Sequence, residues 1–420
     1  MTLAIHGGAR RHDLRWPEWP QSSLRIEEAA LRVLRSGRWA ISGMSAGAPS
    51  EEKRFGDAFA AYHGVPYGVP VSNGSAALTV ALEAVGVGHG DEVLVPGLVW
   101  VACASAVARV GGIPILVDVE EHTFCMSPAA AEAAITARTR AILLVHLYSS
   151  IADLDAFAAL ATGHDLALLE DCAQAHGAMW RDRHVGTFGA AGSFSFQNSK
   201  LLTAGEGGIV ITSNPALYEA AQQLRSDGRR WAAQVAEPGF PDLDEVGERQ
   251  GHNHCMTEFQ AAILHEALAD LDEQNQRRLA NVERFERQLA AVAGVSVVRQ
   301  RDERVTLPTF YHLPLRIERE AFAGASIGRV GRAVAAEVGL FLEPVDVPLN
   351  AHALYQPSRY RRFSPARRRA LDPNSFTLPS AAALSLSCFT VPHHAFLASE
   401  QHIDRLVEAI AHVQRHADTL

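Results

Sequence analysis

The sequence predicts an α/β protein whose main domain has three layers, a mainly parallel sheet with helices on both faces. Three observations carry this. Short, nearly continuous apolar runs (EVLVPGLVW, PILVDVE, AILLVHLY, LALLED) recur along the first half of the chain, the pattern of strands buried on both sides. Alanine-rich amphipathic segments such as SPAAAEAAITART and DLDAFAALATG separate them, so strands and helices alternate. After these, the segments GSFSF and GGIVIT pair as a hairpin that closes the sheet.

Taken in order, residues 1–50 form an N-terminal arm and one helix: RWPEWPQ, with two prolines and two tryptophans, then SSLRIEEAALRVLRSG and a Gly/Ser loop. Residues 51–265 form the large domain, in which the turn VSNGS leads into the helix AALTVALEAVGVG and the strand–helix alternation follows. Near residue 257 one long helical stretch, TEFQAAILHEALADLDEQNQRRLANVERFERQL, leads into residues 266–420, a smaller α+β domain with the strands VSVVR and FYHLPLRI and helices around GRVGRAVAAEVG and EQHIDRLVEAIAHVQRHA. The most basic stretch, SRYRRFSPARRRALD, reads as a solvated loop and helix face.

Composition excludes several classes. The chain has 420 residues, 48% hydrophobic and 20% charged, the balance of a globular enzyme. With 38 basic against 47 acidic residues it lacks the clustered positive charge of a nucleic-acid binder. No apolar run reaches the ~20 residues that cross a bilayer, and in MTLAIHGGARRHDLRW the basic residues follow the apolar patch, the wrong order for a signal peptide. The five cysteines are scattered and never CxxC, which points to a reducing cytoplasm and to no structural metal. His252, His254 and Cys255 fit no common zinc spacing, and AGEGG lacks the Lys-Ser/Thr of a phosphate-binding P-loop.

Almost every basic residue is arginine; the only lysines are Lys53 and Lys200. Lys53 lies in the charged start of a helix, whereas Lys200 follows a strand among small polar residues. Four features fall at the C-terminal ends of strands, where open α/β sheets gather ligands. Gly74 and Ser75 open a helix and offer free backbone N–H groups to an anion, although a serine there also reads as an ordinary N-cap. Trp100 ends EVLVPGLVW, where it serves either the core or a planar ligand. Asp171 ends LALLED, and a carboxylate so placed needs a partner, a helix N-terminus or an arginine if not a ligand. Lys200 follows Ser195 by five residues and precedes a Gly-rich stretch. Together they supply what pyridoxal 5′-phosphate needs: an amine for its aldehyde, a carboxylate for its ring nitrogen, a stacking aromatic and phosphate donors.

The segments SNGSAAL, VPGLVWVA, LEDCAQAHGA, FSFQNSKLLTAGEGG and GHNHCMTEFQAAI resemble, in order, motifs of the DegT/DnrJ/StrS family of PLP-dependent aminotransferases, and the resemblance spans nearly the whole chain. It implies the fold-type I architecture with a seven-stranded sheet, a homodimer with shared active sites, and amino transfer to a keto-sugar or keto-cyclitol. By the same resemblance Lys200 is the covalent lysine, Asp171 the pyridinium partner, Gln174 a contact to the ring hydroxyl, and Trp100 a stacking residue. Gly74, Ser75 and Ser195 hold the phosphate, and Asn253 is a phosphate contact given to the neighbouring subunit.

RWPEWPQ, SGRWAISG and the pair His393–His394 resemble the branch that takes its nitrogen from L-glutamine and acts on carbocyclic ketones such as scyllo-inosose and its 2-deoxy analogue in aminoglycoside pathways. This marks His393 and His394 as substrate contacts; Tyr311 is counted with them, although Tyr311 and His312, in a small-domain strand, read first as core packing. FSFQNSK is also similar to 3-amino-5-hydroxybenzoate synthases, and nucleotide keto-sugars are the family's other acceptors. Asp346, in FLEPVDVPLN, stands where related cyclitol enzymes carry an aromatic residue. Lys200 counts against a dehydratase, and the absence of an output domain or basic face from the sequence counts against a PLP-bound regulatory protein.

Overall fold

The computed structural model describes residues 2–359 and 363–420. The arm runs to a first helix, α1 (Leu24–Ser36), capped by the Ser23 hydroxyl, and α2 (Glu51–Tyr62) follows, capped by Ser50. The large domain is then built in alternation: β1 (Tyr67–Val71), α3 (Gly74–Ala84), β2 (Glu92–Pro96), α4 (Ala102–Arg109), β3 (Ile113–Val117), α5 (Pro128–Ala134), β4 (Thr139–Val145), α6 (Leu154–Gly163) and β5 (Ala167–Asp171). Short strands β6 (Met179–Trp180) and β7 (Arg183–His184) precede the hairpin of β8 (Ala191–Ser195) and β9 (Gly208–Thr212), and α7 (Pro215–Arg225) returns along the sheet.

The seven-stranded sheet has the order β1-β9-β8-β5-β4-β2-β3. Only β9 runs against the rest, pairing antiparallel with both β1 and β8, while the pairs from β8 across to β3 are parallel. Strands β2, β8 and β9 are buried at every residue, which explains their unbroken apolar runs. One apolar core lies on each face. Leu78, Val107 and Leu143 belong to one, and Phe59, Leu144, Phe157 and Phe194 to the other.

Beyond the short pair β10 (Arg229–Trp231) and β11 (Leu243–Glu245), the expected single long helix is two. α8 (Glu258–Ala267) opens with a capping box between Thr257 and Gln260, a 3₁₀ turn over Leu268–Asp270 interrupts it, and α9 (Leu271–Leu289) continues. The C-terminal sheet pairs β12 (Val295–Val297), β14 (His312–Ile317), β16 (Cys388–Pro392) and β15 (Glu343–Pro344) in that order, while β13 (Val305–Leu307) pairs with β6. It packs on α9, α10 (Ile327–Val338) and, after α11 (Pro365–Ala370) and α12 (Pro379–Ser387), on the terminal α13 (Glu400–Arg415).

Two segments cross between the parts of the chain. Leu3 is fully buried in the C-terminal core, with Ile5, Leu14 and Trp16 packed on it, so the arm belongs to that core as much as to α1. In the other direction Val345, Leu349, Leu378 and Ala381 pack on the α3–α4 face of the sheet. Of the basic stretch, residues 360–362 lie outside the described residues. Arg367 is not simply solvated, because its guanidinium donates to the carbonyls of Ala108 and Gly112 at 2.9 and 3.2 Å.

Candidate active site

Interior strand β8 carries Ser193 and, at its C-terminal end, Ser195, and the chain then turns through Gln197 into Lys200. The turn is held locally: Lys200 N–H donates to the Gln197 carbonyl at 2.8 Å, and Gln197 Oε1 accepts from Ser199 N–H at 2.9 Å and from its hydroxyl at 2.8 Å. With the Ser199 proton so committed, the Tyr311 hydroxyl is the donor in its 2.7 Å contact with Ser199 Oγ. The Tyr311 ring lies over the Lys200 amine, 4.2 Å from Nζ to the ring centre. Tyr311 thus stands beside the lysine while it is also buried in the core on one face of the large sheet, so both readings of it hold.

Asp171 ends β5 as expected and is 7% exposed. Neither of the alternatives read from sequence holds: it caps no helix, and among the described residues no arginine pairs with it. Its Oδ1 accepts from Ala173 N–H at 2.9 Å and its Oδ2 from the Cys103 thiol at 3.2 Å. Burial, and next the Asp171 charge, push the Cys103 thiol well up, so it stays a proton donor. Gln174 is fixed through Oε1, which accepts from Tyr148 N–H at 2.7 Å and leaves its amide NH₂ for a ligand. Behind these, burial pushes His176 down to about 3; neutral, it donates Nε2–H to the Ser195 carbonyl at 3.0 Å.

Ser75 is exposed and is not the N-cap of α3. Asn73 takes that place, its Oδ1 accepting from Ala76 N–H at 2.9 Å, because Ser75 already lies inside the first turn. The first turn therefore retains open N–H groups and a free hydroxyl. Gly74 is required by proximity, since a Cβ there would stand 2.5 Å from Ser195 Cβ. Trp100 does not end β2: the strand stops at Pro96, and Trp100, 52% exposed, stands just before α4 on the cavity wall. The turn at Gly97, whose N–H bonds the Val117 carbonyl, takes the chain out of the sheet before the tryptophan.

Lys200, Asp171, Gln174, Gly74, Ser75, Ser195, Trp100 and Tyr311 line one cavity of about 790 Å³. Asn253 is outside it; it is exposed, and its Oδ1 accepts from Cys255 N–H at 3.3 Å. His393 and His394 lie outside it too, in an adjacent cavity of about 520 Å³ that shares Ser199, His312 and Glu343 with the first. His393 is buried, with Nε2 on the Ser199 carbonyl at 3.0 Å.

The wall facing the lysine holds Asp346, which the sequence marked, together with groups that it did not. The Tyr148 hydroxyl donates to Asp346 Oδ2 at 3.0 Å and accepts from Asp346 N–H at 2.9 Å. Glu343 and His312 complete this wall, the His312 Nε2 standing 3.7 Å from Glu343 Oε2. Burial raises both carboxyls, Glu343 and Asp346, above the ordinary range and drives His312 down to about 3. Tyr148 and His312 come from segments far apart in the chain, so no spacing rule finds them.

The arrangement fits pyridoxal 5′-phosphate on two counts. The close packing of Gly74 on Ser195 leaves the α3 N-terminus bare for a phosphate, and Asp171 is a buried carboxylate with donors but no cation, suited to a protonated ring nitrogen. A metal is not called for. Among the described residues the one cluster with ligand-like spacing is His146, Glu170 and Cys172, all buried. There Glu170 already accepts three backbone N–H groups, from Gly186, Phe188 and Gly189, and His146 has both ring nitrogens engaged, on Glu170 and on Ala152 N–H.

Comparison with known proteins agrees with this chemistry. Residues 22–411 match the model of the DegT/DnrJ/EryC1/StrS aminotransferase family. The chain is 45% identical to an L-glutamine:2-deoxy-scyllo-inosose aminotransferase of Streptoalloteichus tenebrarius, over 99% of this chain and 98% of that one. It is 44% identical to the L-glutamine:scyllo-inosose aminotransferase of Streptomyces griseus, over 98% and 97%. Among solved structures, a 3-amino-5-hydroxybenzoic acid synthase superposes with a TM-score of 0.79 at 31% identity, covering 96% of this chain and 99% of that chain.

Proposed function

Since the chain belongs to the DegT/DnrJ/EryC1/StrS aminotransferase family, we propose that it moves the amino group of L-glutamine onto the ketone of a carbocyclic polyol, scyllo-inosose or its 2-deoxy analogue. The relatives' names support the substrates. The observation that carries the site is the shared cavity in which the Lys200 amine, the Asp171 carboxylate and the open N-terminus of α3 face one another.

The cofactor, pyridoxal 5′-phosphate, supplies an aldehyde that carries nitrogen from donor to acceptor and a ring that accepts the electrons released when a proton leaves the substrate carbon. Lys200 would hold that aldehyde covalently through Nζ and, once released by the donor, take and return the substrate proton as a general base. Asp171 would hold the proton on the ring nitrogen, kept in line by Cys103 and Ala173. The Gln174 amide would donate to the ring hydroxyl, Trp100 would stack on the ring, and Gly74, Ser75 and Ser195 would hold the phosphate. Tyr311 bounds the space above Nζ. His394 and the Glu343–Asp346 wall would meet the hydroxyls of the acceptor, with His393 acting through the Ser199 carbonyl.

The working form would be a homodimer in which exposed Asn253 reaches the phosphate of the neighbouring subunit. The five free cysteines support the reducing cytoplasm expected from the sequence, and no helix among the described residues is long and apolar enough to cross a membrane. The test is a half-reaction followed by absorbance on PLP-loaded protein. L-Glutamine bleaches the cofactor band; with donor removed, scyllo-inosose or its 2-deoxy analogue restores it and nucleotide keto-sugars do not. Recovery with nucleotide keto-sugars alone overturns the cyclitol assignment, and failure of any amino donor to bleach the band overturns the donor chemistry.

A further inference from the structure

Two carbonyls flank the side chain of Lys200, and both are held from outside the large domain. Trp19 Nε1 donates to the Lys200 carbonyl at 3.1 Å, and His393 Nε2 donates to the Ser199 carbonyl at 3.0 Å. The indole and the imidazole meet edge to face with centroids 4.7 Å apart. Behind them the Arg278 guanidinium lies 5.4 Å from the Trp19 ring. Burial keeps His393 neutral, so its one ring proton belongs on the nitrogen that faces the carbonyl.

The donors have firm seats of their own. The arm is fastened next to Trp19 by Trp16, whose Nε1 donates to the Val338 carbonyl at 2.9 Å and whose ring packs on His402 at 5.4 Å. His393 follows β16, which is buried throughout and paired with β14. The Lys200 turn, by contrast, is irregular backbone beyond the end of β8, and its internal bonds are those to Gln197. Segments of that kind open at a small fraction of the global unfolding free energy unless tied down.

We propose that Trp19 and His393 form a clasp on the 199–200 backbone, fixing the Lys200 Cα so that its amine moves between its two tasks by side-chain torsion alone. Trp19 is then a positioning residue for amino transfer. A lysine that first bonds the cofactor and then moves a proton must reach two points from one origin, and drift of that origin by a fraction of an ångström lowers the rate of both steps. The proposal rests on the assignment of Lys200 as the covalent lysine.

Trp19→Phe keeps an aromatic ring against His393 and removes the N–H, while Trp16→Phe removes the matching donor from the same arm away from Lys200. Three readouts separate positioning from plain stability: amide hydrogen exchange of residues 197–202 in cofactor-free protein, the pH midpoint of the cofactor absorbance in loaded protein, and kcat against KM for L-glutamine. Trp19→Phe should raise exchange of that segment about five-fold, move the pH midpoint, and lower kcat about five-fold with KM within about two-fold. Trp16→Phe, which loosens the seat of the arm but keeps the Trp19 N–H, should lower the melting temperature and move the three readouts by clearly less than Trp19→Phe does. Wild-type exchange in Trp19→Phe, or changes in Trp16→Phe as large as those in Trp19→Phe, overturns the clasp.

If Trp19→Phe does not fold, His393 decides: His393→Gln keeps a donor for the Ser199 carbonyl and should stay near wild type, His393→Leu should not, and equal behaviour of the two overturns the proposal. Failure of the underlying assignment has its own signature. Turnover surviving in Lys200→Ala removes the role of the lysine without altering the exchange result.

Discussion

The Cys103 thiol donates to Asp171 Oδ2 at 3.2 Å, although the two residues stand on different elements, α4 and β5. Together with Ala173 N–H on the other oxygen it fixes the plane of the carboxylate. Asp171→Asn removes the charge and should lower kcat about 10²- to 10³-fold while the protein still takes up pyridoxal phosphate. Cys103→Ala should lower kcat by about five-fold, with Cys103→Ser close to wild type. Steady-state kinetics on the three variants checks the order.

Lys200→Ala should abolish multiple turnovers. The general-base contribution alone accounts for about 10²- to 10⁴-fold, and loss of the covalent tether adds to it. Single-turnover absorbance with L-glutamine is the measurement; an exogenous primary amine should restore part of the rate, since the deleted group is an amine.

Gly74→Ala tests the phosphate cradle. The added methyl would stand 2.5 Å from Ser195 Cβ and 2.9 Å from its hydroxyl, so one side must shift. Affinity for pyridoxal phosphate should fall about ten-fold or more, and the cofactor-free protein should melt somewhat lower, an overpacking cost of about 1–3 kcal/mol. Fluorescence titration of the cofactor and a thermal melt read the two effects.

The role proposed for the Glu343–Asp346 wall is tested by separating the half-reactions. Tyr148→Phe removes a hydroxyl that both donates to Asp346 and accepts from its backbone. Its loss, like Asp346→Asn, should lower kcat/KM for the ketone about ten-fold, while the half-reaction with L-glutamine stays within about two-fold. Equal losses in both halves would place the pair outside acceptor recognition.

Acid sensitivity follows from buried histidines. Burial pushes His63, His176 and His312 each down to about 3, against about 6.5 in an unfolded chain. A base held neutral by folding binds its proton more readily when unfolded, so its stabilising effect is complete above pH 6.5 and is lost as pH falls from there towards 3. Each site contributes up to about 1.4 kcal/mol per pH unit across that window. Urea titrations between pH 7 and 5 should show a steep fall, and His63→Gln should flatten it by about one such increment.

Much of this was readable from the sequence. The strand order was not, but the existence of the strands was, because β2, β4 and β5 are buried on both faces and their apolar runs have no alternation to confuse with a helix. Lys200 and Asp171 stood out for chemical reasons: one of only two lysines, and a carboxylate ending an apolar strand. What escaped depends on tertiary contact. Asp346 was marked, but its bond to Tyr148, 198 positions away, was not, and Trp19 reaches Lys200 across 181. The second reading of Ser75, as a cap, failed because capping turns on φ and ψ at Asn73, which residue type alone leaves open. Trp100 was assigned to a strand because VPGLVW is apolar to its end, while the backbone leaves the sheet at Gly97.

The scarcity of lysine has a practical side. Lys53 sits on α2, ion-paired with Asp57 and 5.2 Å from the Trp231 ring, and lines neither the lysine cavity nor the adjacent one. With Lys200 occupied by cofactor, an amine-seeking resin would find a single side-chain handle. With the terminal amine blocked, molecules coupled through Lys53 would therefore all share one attitude, held by a residue that lines neither cavity.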